Sequence, residues 1–427
     1  MFVGGNKLPD KKIKVLTIGD HPLFPSGVGT QSKYIFEALL NSGKFQLISM
    51  GGAMEHPSYD AGITDKYGED WIIQPVKGYG TQQQVRQMIY QYKPDILWFM
   101  TDPRFYEWLW HMEDEIRCNL PMVYYHVWDN FPPPTFNKKY YSSNDKIVSI
   151  SKVTSDVVNI VSPEVDEEYL PHAVDTNIFK KITNDLQVSQ LNDLRKENGF
   201  GDKFIFFWNN RNARRKSSGS VVYWFKEVLD KIGKENAILL MHTDVNDEHG
   251  QPLGFIADNL GIKDNVKFST SKIDPINLAA LYNMADCTVN VADAEGFGLA
   301  TLESLACETP IIVTMTGGLQ EQVTDGENWF GIGIEPAAKT VIGSMSCPWI
   351  YEDRISRESF VSALVEMYNK TPKEREDLGK AGRKHVMDNY NFENYGKRWA
   401  ILMEEVHEKY GSWDNRKEYK SWRVEKI

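Results

Sequence analysis

Residues 285–318 read ADCTVNVADAEGFGLATLESLACETPIIVTMTGG. Two short apolar runs, 288–291 and 310–314, have the length and composition of buried strands, and between them Leu299, Leu302 and Ala306 recur at helical spacing. Strand, loop, helix, strand is a βαβ unit, whose ligands gather at the carboxyl end of the first strand. Gly296 and Gly298 lack Cβ, so the chain can turn sharply and come close to a ligand. The amides of Phe297, Gly298 and Leu299 then open a helix, and a helix N-terminus attracts anions. Glu295 stands beside that anion site, and Glu303 lies about one and a half turns into the helix. A phosphate flanked by two carboxylates suits a sugar nucleotide, whose hydroxyls need acceptors. The plainer alternative is a tight turn in which only the glycines matter, and a Gly-x-Gly turn alone would favour it.

The full pattern E-G-F-G-x4-E, followed by a strand and Gly317-Gly318, resembles the donor site of family 4 retaining glycosyltransferases of the GT-B fold. The resemblance implies that Glu295 meets the donor sugar and Glu303 the ribose. It covers most of the chain from about 13 to 400 and is densest over 204–326.

Upstream, the strand 204–208, FIFFW, runs into the loop NNRNARRK, residues 209–216, and a helix over 220–231. A basic cluster is usually a solvated surface. This one lies after a strand and before a helix, where a phosphate would sit. Arg211 and Lys216 are five apart, similar to the family's G-R-x4-K-G, although Asn210 and Ser217 stand in place of its glycines. Arg grips a diphosphate through two bonds and Lys adds a point charge. Between these segments strands are expected at 237–242 and 266–268 and helices at 254–260 and 276–284. Lys272 and Ile273 fall where the resemblance puts the nucleobase, held largely by backbone.

The first half opens in the same way: strand 13–18, a loop 19–29 with Ser26-Gly27-Val28-Gly29, and a helix over 30–41. The third glycine of G-x-G-x-x-G is Ser32, so a dinucleotide fingerprint is incomplete. By resemblance Ser26 and Gly27 face the donor phosphates, with Ser26-Gly27 replacing a Gly-Gly pair. Strands follow at 45–50, 95–100, 122–126 and 146–149, with loops around one short strand near Trp71 over 51–80 and an aromatic-rich stretch over 104–117, whose aromatics are usually core. His126 ends a strand; a lone histidine there is usually structural, but the resemblance implies that it reaches the donor sugar. Trp128 and Asp129 follow on the acceptor side, with Trp108, Trp110 and Phe131 as further candidates for stacking on an acceptor. Residues 170–175, LPHAVD, resemble the family's interdomain crossing.

The expectation is an α/β chain of GT-B type, two Rossmann-like domains whose parallel sheets face a cleft: 1–174 on the acceptor side, joined by C-terminal helices over about 393–427, and 175–392 binding the nucleotide sugar. Residues 331–352 are longer than the family's usual return and have no assigned role, and the tail 415–427, with Trp422 and Val424, is expected to dock on the first domain.

Composition agrees with a soluble globular protein: 427 residues, 41% hydrophobic and 25% charged, with a net charge of −11 that does not recruit a generic polyanion. Four scattered cysteines contain no C-x-x-C, the N-terminus MFVGGNKLPDKK lacks an apolar signal core, and no apolar run reaches membrane-spanning length, so a cytoplasmic protein is expected, with peripheral membrane contact left open. There is no D-x-D, so no metal clamp is expected, and no cofactor beyond the nucleoside-diphosphate-sugar donor. The resemblance implies a retaining, metal-independent transfer to a hydroxyl acceptor. A saccharide or glycolipid is favoured, with a hydroxylated nucleic-acid base as the alternative. Two other classes compete: a dinucleotide-dependent oxidoreductase, and a non-catalytic sugar-nucleotide-binding protein.

Overall fold

In the computed structural model, which describes residues 11–24 and 26–421, the strands divide between two large sheets. The first contains β1 (Ile13–Asp20), β2 (Phe45–Gly52), β3 (Gly62–Thr64), β4 (Gly68–Pro75), β5 (Ile96–Thr101), β6 (Met122–His126), β7 (Lys146–Ser149) and β8 (Glu167–Tyr169). Its order is β3-β4-β2-β1-β5-β6-β7-β8, parallel except at β3–β4. The second contains β9 (Phe204–Asn209), β10 (Ala237–His242), β11 (Val266–Ser269), β12 (Cys287–Asn290), β13 (Ile311–Thr314) and β14 (Gly331–Ile334), all parallel in the order β11-β10-β9-β12-β13-β14.

Both sheets read as nearly continuous apolar strands because helices cover both faces. Every residue of β5 and of β12 is buried. In each sheet the strand order reverses once, between β1 and β5 and between β9 and β12. A crevice opens at such a switch point, outside the carboxyl ends of the strands. The loops after β1, β9 and β12 are those that carry the Ser-Gly, basic and E-G-F-G segments.

The two halves share one core. Val15, Trp98 and Tyr125 of the first sheet, Phe207 and Val313 of the second, and Phe297 of the loop after β12 belong to a single buried cluster. The helix Phe392–Tyr410 returns to the first half, where Phe392 meets Tyr34 edge-on at 4.5 Å and Arg398 pairs with Glu168 at 2.6 Å. Beyond it Trp413 donates to the Pro94 carbonyl at 2.9 Å and Arg416 pairs with Asp145 at 2.6 Å. Trp422 and Val424 lie outside the described residues. Among the described residues no helix is long and apolar enough to cross a membrane.

The structure adds to these expectations in four stretches. In the span 51–80 the strand expected near Trp71 is β4, and β3 pairs beside it. The aromatic-rich stretch 104–117 forms three short helices, Pro103–Phe105, Glu107–Trp110 and Glu113–Arg117, with Tyr106 and Trp110 in the core of the first half and Trp108 packed against it. A helix at Asp185–Glu197, exposed along its length and so without an apolar stripe to read, was not anticipated. Residues 331–352 supply β14 and then a separate hairpin, β15 (Ala338–Ser344) and β16 (Cys347–Arg354).

Candidate active site

The loop after β12 is pinned before it becomes the helix Leu299–Ala306. Phe297 is 3% exposed and packs edge-on against His172 at 5.1 Å and Tyr390 at 5.8 Å, while its carbonyl accepts from Gln322 Nε2 at 2.8 Å. It anchors the loop rather than lining the cleft. Gly298 has φ +96°, and a Cβ there would lie 2.5 Å from Leu319 Cδ2. Gly317 has φ +46°, and a Cβ there would lie 1.9 Å from the Glu295 carbonyl. These two glycines let the loop turn and its neighbour close beneath it. Gly298 has no side chain to cap the helix, so its first amides are left to an external acceptor.

Glu295 is turned toward the basic loop. Its carboxylate forms a buried ion pair with Lys216 Nζ and lies 4.0 Å from the guanidinium of Arg215, which itself donates to the Ala294 carbonyl at 2.7 Å. Asn290 Nδ2 approaches the same carboxylate at 3.4 Å. Lys216 is placed by the short helix Arg214–Lys216 and by Ser217, whose φ of +53° turns the chain into the helix Ser218–Ile232. Burial and the Arg215 charge push the Lys216 ammonium well below its usual range, while Asp129 pulls it back up. Asn210 Nδ2 and Asn290 Oδ1 are buried without a hydrogen-bond partner among the described residues. Unsatisfied polar atoms beside a buried charge pair mark a place where a polar ligand would gain bonds.

Arg211 does not point at this cluster. It is exposed and pairs with Asp247 through Nε at 2.5 Å and a second nitrogen at 3.1 Å. The guanidinium beside Glu295 is that of Arg215, which the R-x4-K spacing passed over although it lies in the same cluster.

Deeper in the second half, Tyr282 donates to Glu303 Oε2 at 2.8 Å and accepts from Asn209 Nδ2 at 2.8 Å. Burial pushes the Glu303 carboxyl up to about 7, and the Tyr282 bond pulls it down. Tyr282 and Asn209 were not legible as site residues, since only the fold brings β9 and the helix Pro275–Met284 under Glu303.

The first half closes over this floor. Ser26 caps the helix Gly27–Asn41, accepting from Gly29 N at 2.9 Å and donating to Asp20 at 2.6 Å, so its hydroxyl is already engaged. A Cβ on Gly27 would lie 3.5 Å from Leu299 Cδ1, so two helix N-termini face each other across the cleft. A Cβ on Gly296 would lie 3.2 Å from the Val127 carbonyl and 3.8 Å from Asp129 Cβ. Asp129 therefore sits over the glycine loop. Burial pushes its carboxyl up, while Arg215, Lys216 and Arg104 pull it down and Asp102 pushes it up again. Lys272 reaches across to Phe24, its Nζ 5.6 Å from the ring, with Ile273 partly buried beside it.

Two acceptor-side expectations need correction. His126 is fully buried, with Nδ1 2.8 Å from the Tyr124 hydroxyl and Nε2 2.8 Å from the Tyr141 hydroxyl, and burial holds it down at about 3. With both nitrogens engaged in the core it cannot reach a sugar in this arrangement. Trp128 is 3% exposed, donates to the Asn130 carbonyl at 2.6 Å and packs on Phe136, and Trp110 is buried as well, so both belong to the core. Phe105, next to Tyr79, is an exposed aromatic on this side.

Residues 191–385 match the family model Glycosyl transferases group 1. The chain is 25% identical over 267 residues to a GDP-mannose-dependent α-(1-6)-phosphatidylinositol monomannoside mannosyltransferase of Mycolicibacterium smegmatis, covering 61% of this chain and 62% of that protein. It is 43% identical over 83 residues to a D-inositol 3-phosphate glycosyltransferase of Thermomonospora curvata, 19% of each chain. The matches thus span less than two thirds of these relatives. Among solved structures, sucrose-phosphate synthase of Thermosynechococcus elongatus superposes with a TM-score of 0.71 at 16% identity, covering 93% of this chain and 100% of that one. Anabaena HepE in complex with UDP and glucose gives 0.66 at 13% identity, covering 92% and 100%. The fold is GT-B, and the match to the glycosyl transferases group 1 model lies within the second half.

Proposed function

We propose that this chain is a retaining glycosyltransferase that moves a sugar from a nucleoside-diphosphate sugar to the hydroxyl of a saccharide or glycolipid. The observation that carries this reading is the buried Lys216–Glu295 pair beside an uncapped helix N-terminus at Gly298. In this reading residues 1–174 with the returning C-terminal helices form the acceptor side, and 175–392 the donor side.

The donor diphosphate lies on the amides that open the helix at Leu299. Lys216 and Arg215 bear on its charge, and Arg211, exposed on its loop, exchanges Asp247 for phosphate oxygens. Glu295, released by Lys216, accepts from the sugar hydroxyls, and Glu303 accepts from the ribose. Lys272 and Ile273 flank the base, and Ser26 and Gly27 close over the phosphates. The bond from the anomeric carbon to the phosphate oxygen breaks as the acceptor oxygen bonds the same face, and the acceptor proton passes to the leaving phosphate. Fixed positive groups aimed at that charge supply what a metal would otherwise provide.

The acceptor preference rests on charge at the cleft entrance. Arg104 is paired with Asp102 at 2.6 Å and Lys139 with Glu107 at 3.1 Å, so two of the three cations that could meet a nucleic-acid backbone, all but Lys138, are already paired. Asp129, over the glycine loop, offers acceptor oxygens for sugar hydroxyls. The relatives named for glycolipid and inositol phosphate acceptors support the same class.

The test is nucleoside diphosphate release from a panel of nucleotide sugars, then acceptor screening and NMR of the product's anomeric coupling. Release from no donor would sink the reading, and an inverted product would remove retention. Mass spectrometry finding a bound nicotinamide or flavin dinucleotide would favour an oxidoreductase instead.

A further inference from the structure

The hairpin β15–β16 takes no part in either large sheet, yet it touches both sides of the cleft. Its root is fixed to the donor side: Asp353 N donates to the Asp293 carbonyl at 2.8 Å, and Glu352 pairs with Arg214. Asp293, two residues before Glu295, also accepts from Ser217 Oγ at 3.0 Å, which joins it to the basic loop. The same strand is fixed to the acceptor side by its alternate residues. Tyr351 N donates to the Phe131 carbonyl at 2.7 Å, and Trp349 Nε1 reaches the Pro133 carbonyl at 3.4 Å while its ring meets Phe136 edge-on at 4.9 Å. Cys347 is buried in the core of the first half. Asn130 completes the joint, with Nδ2 donating to the Tyr351 carbonyl at 3.1 Å and to Asp353 Oδ2 at 3.2 Å, and Oδ1 accepting from Phe131 N at 2.8 Å. Asn130 follows Asp129 directly in the chain.

The outer strand adds nothing that would hold the hairpin by itself. Lys339, Thr340 and Val341 are exposed, and Met345 at the turn is completely so. A two-stranded hairpin alone is marginal in water. The order of this one therefore comes from its two anchorages, and it can be ordered only while both loops hold their places.

We propose that the β15–β16 hairpin is a clasp across the cleft, in which Asn130 and Trp349 are positioning residues that lock the acceptor-side loop 129–134 to the donor loop 293–298. The clasp presents Asp129 over the glycine loop and closes that side of the donor site to bulk water. It rests on the glycosyl-transfer reading for its consequence, but not for its mechanics. Closing a transfer site excludes water that would otherwise take the sugar. A clasp supplied by the donor half thus decides whether an acceptor or water receives the sugar.

The experiment uses the full chain as wild type, Asn130→Ala, Trp349→Ala and Trp349→Phe, with folding checked by thermal melting. Hydrogen exchange is followed by mass spectrometry. Donor affinity and nucleoside diphosphate release in water, without acceptor, are measured with UDP-glucose and GDP-mannose. Both alanine variants should exchange the amides of 127–131 about tenfold faster or more. They should hydrolyse the bound donor about threefold faster or more, giving free sugar and nucleoside diphosphate, while donor Kd stays within about twofold. Trp349→Phe, which keeps the contact with Phe136 and loses only the Pro133 bond, should fall between wild type and Trp349→Ala. Unchanged exchange over 127–131 in both alanine variants would overturn the clasp. Donor affinity falling in step with exchange would also overturn it, because the hairpin would then be part of the donor site's fabric. If the wild type binds neither donor, the function proposed above is weakened while the exchange measurement still decides the clasp.

Discussion

The Glu303 carboxyl should make nucleotide affinity depend on pH near neutrality. Burial holds it up to about 7, with the Tyr282 hydroxyl as its partner. A ribose diol donates two hydrogen bonds, which a carboxylate accepts better than a carboxylic acid, so binding should favour the ionised form and lower its pKa. With a pKa of about 7, roughly nine tenths is ionised at pH 8 and one tenth at pH 6, a loss of about tenfold in affinity, or about 1.4 kcal/mol. Stability should move in the opposite direction. The folded pKa lies above the ordinary value of 4.5, so the folded state holds the proton more tightly between the two values. This group's contribution is thus greatest at low pH and is lost as pH rises through about 7. Titration calorimetry with UDP or GDP at pH 6, 7 and 8, on wild type and Glu303→Gln, separates the two effects. The second phosphate ionisation of the ligand also falls near pH 6 but is common to both proteins, so it cancels in the difference. Glu303→Gln should bind more weakly at pH 8, with this component of the slope gone. Identical pH slopes in the two proteins would refute the reasoning.

Lys216→Ala should lower turnover by about 10²-fold or more, since one transition-state charge contact supplies about 3 kcal/mol; single-turnover kinetics with near-normal rates would remove Lys216 from the site. Arg215→Ala should lower turnover comparably and Arg211→Ala less, because Arg211 must first leave Asp247; the reverse ranking would restore the simple R-x4-K reading. Gly317→Ala should destabilise the fold by about 2–4 kcal/mol, combining left-handed strain with a clash against the Glu295 carbonyl, and urea unfolding would check it. Trp128→Ala should cost about 3–5 kcal/mol of stability as a core truncation, whereas Phe105→Ala should leave stability unchanged and raise only the acceptor KM. Turnover should survive EDTA; complete loss restored by magnesium or manganese would contradict the proposed charge set.

The architecture was legible wherever burial imposes a period on the sequence. Continuous apolar strands followed by Gly-containing loops and amphipathic helices announce a parallel α/β sheet. The E-G-F-G segment could be placed at a strand's carboxyl end before any coordinate was known, because strand, turn and helix are decided by neighbours along the chain. A side chain's direction is decided by partners far away in sequence. His126 ends its strand as expected, but Tyr124 and Tyr141 consume both of its nitrogens. Trp128 looked like a stacking platform, but Phe136 and the Asn130 carbonyl turn it into the core. Arg211 has the right spacing and is drawn off by Asp247, while Arg215 takes the place beside Glu295. The hairpin carried no readable role, since its order depends on Asn130 and Asp293, residues 223 and 60 positions from Asp353. Neighbours along the chain set the βαβ units, the glycines at the sharp turns and the charges carried to the cleft. Which of those charges already pair with one another is set by the folded packing, because pairing depends on distances in space that local periodicity does not encode.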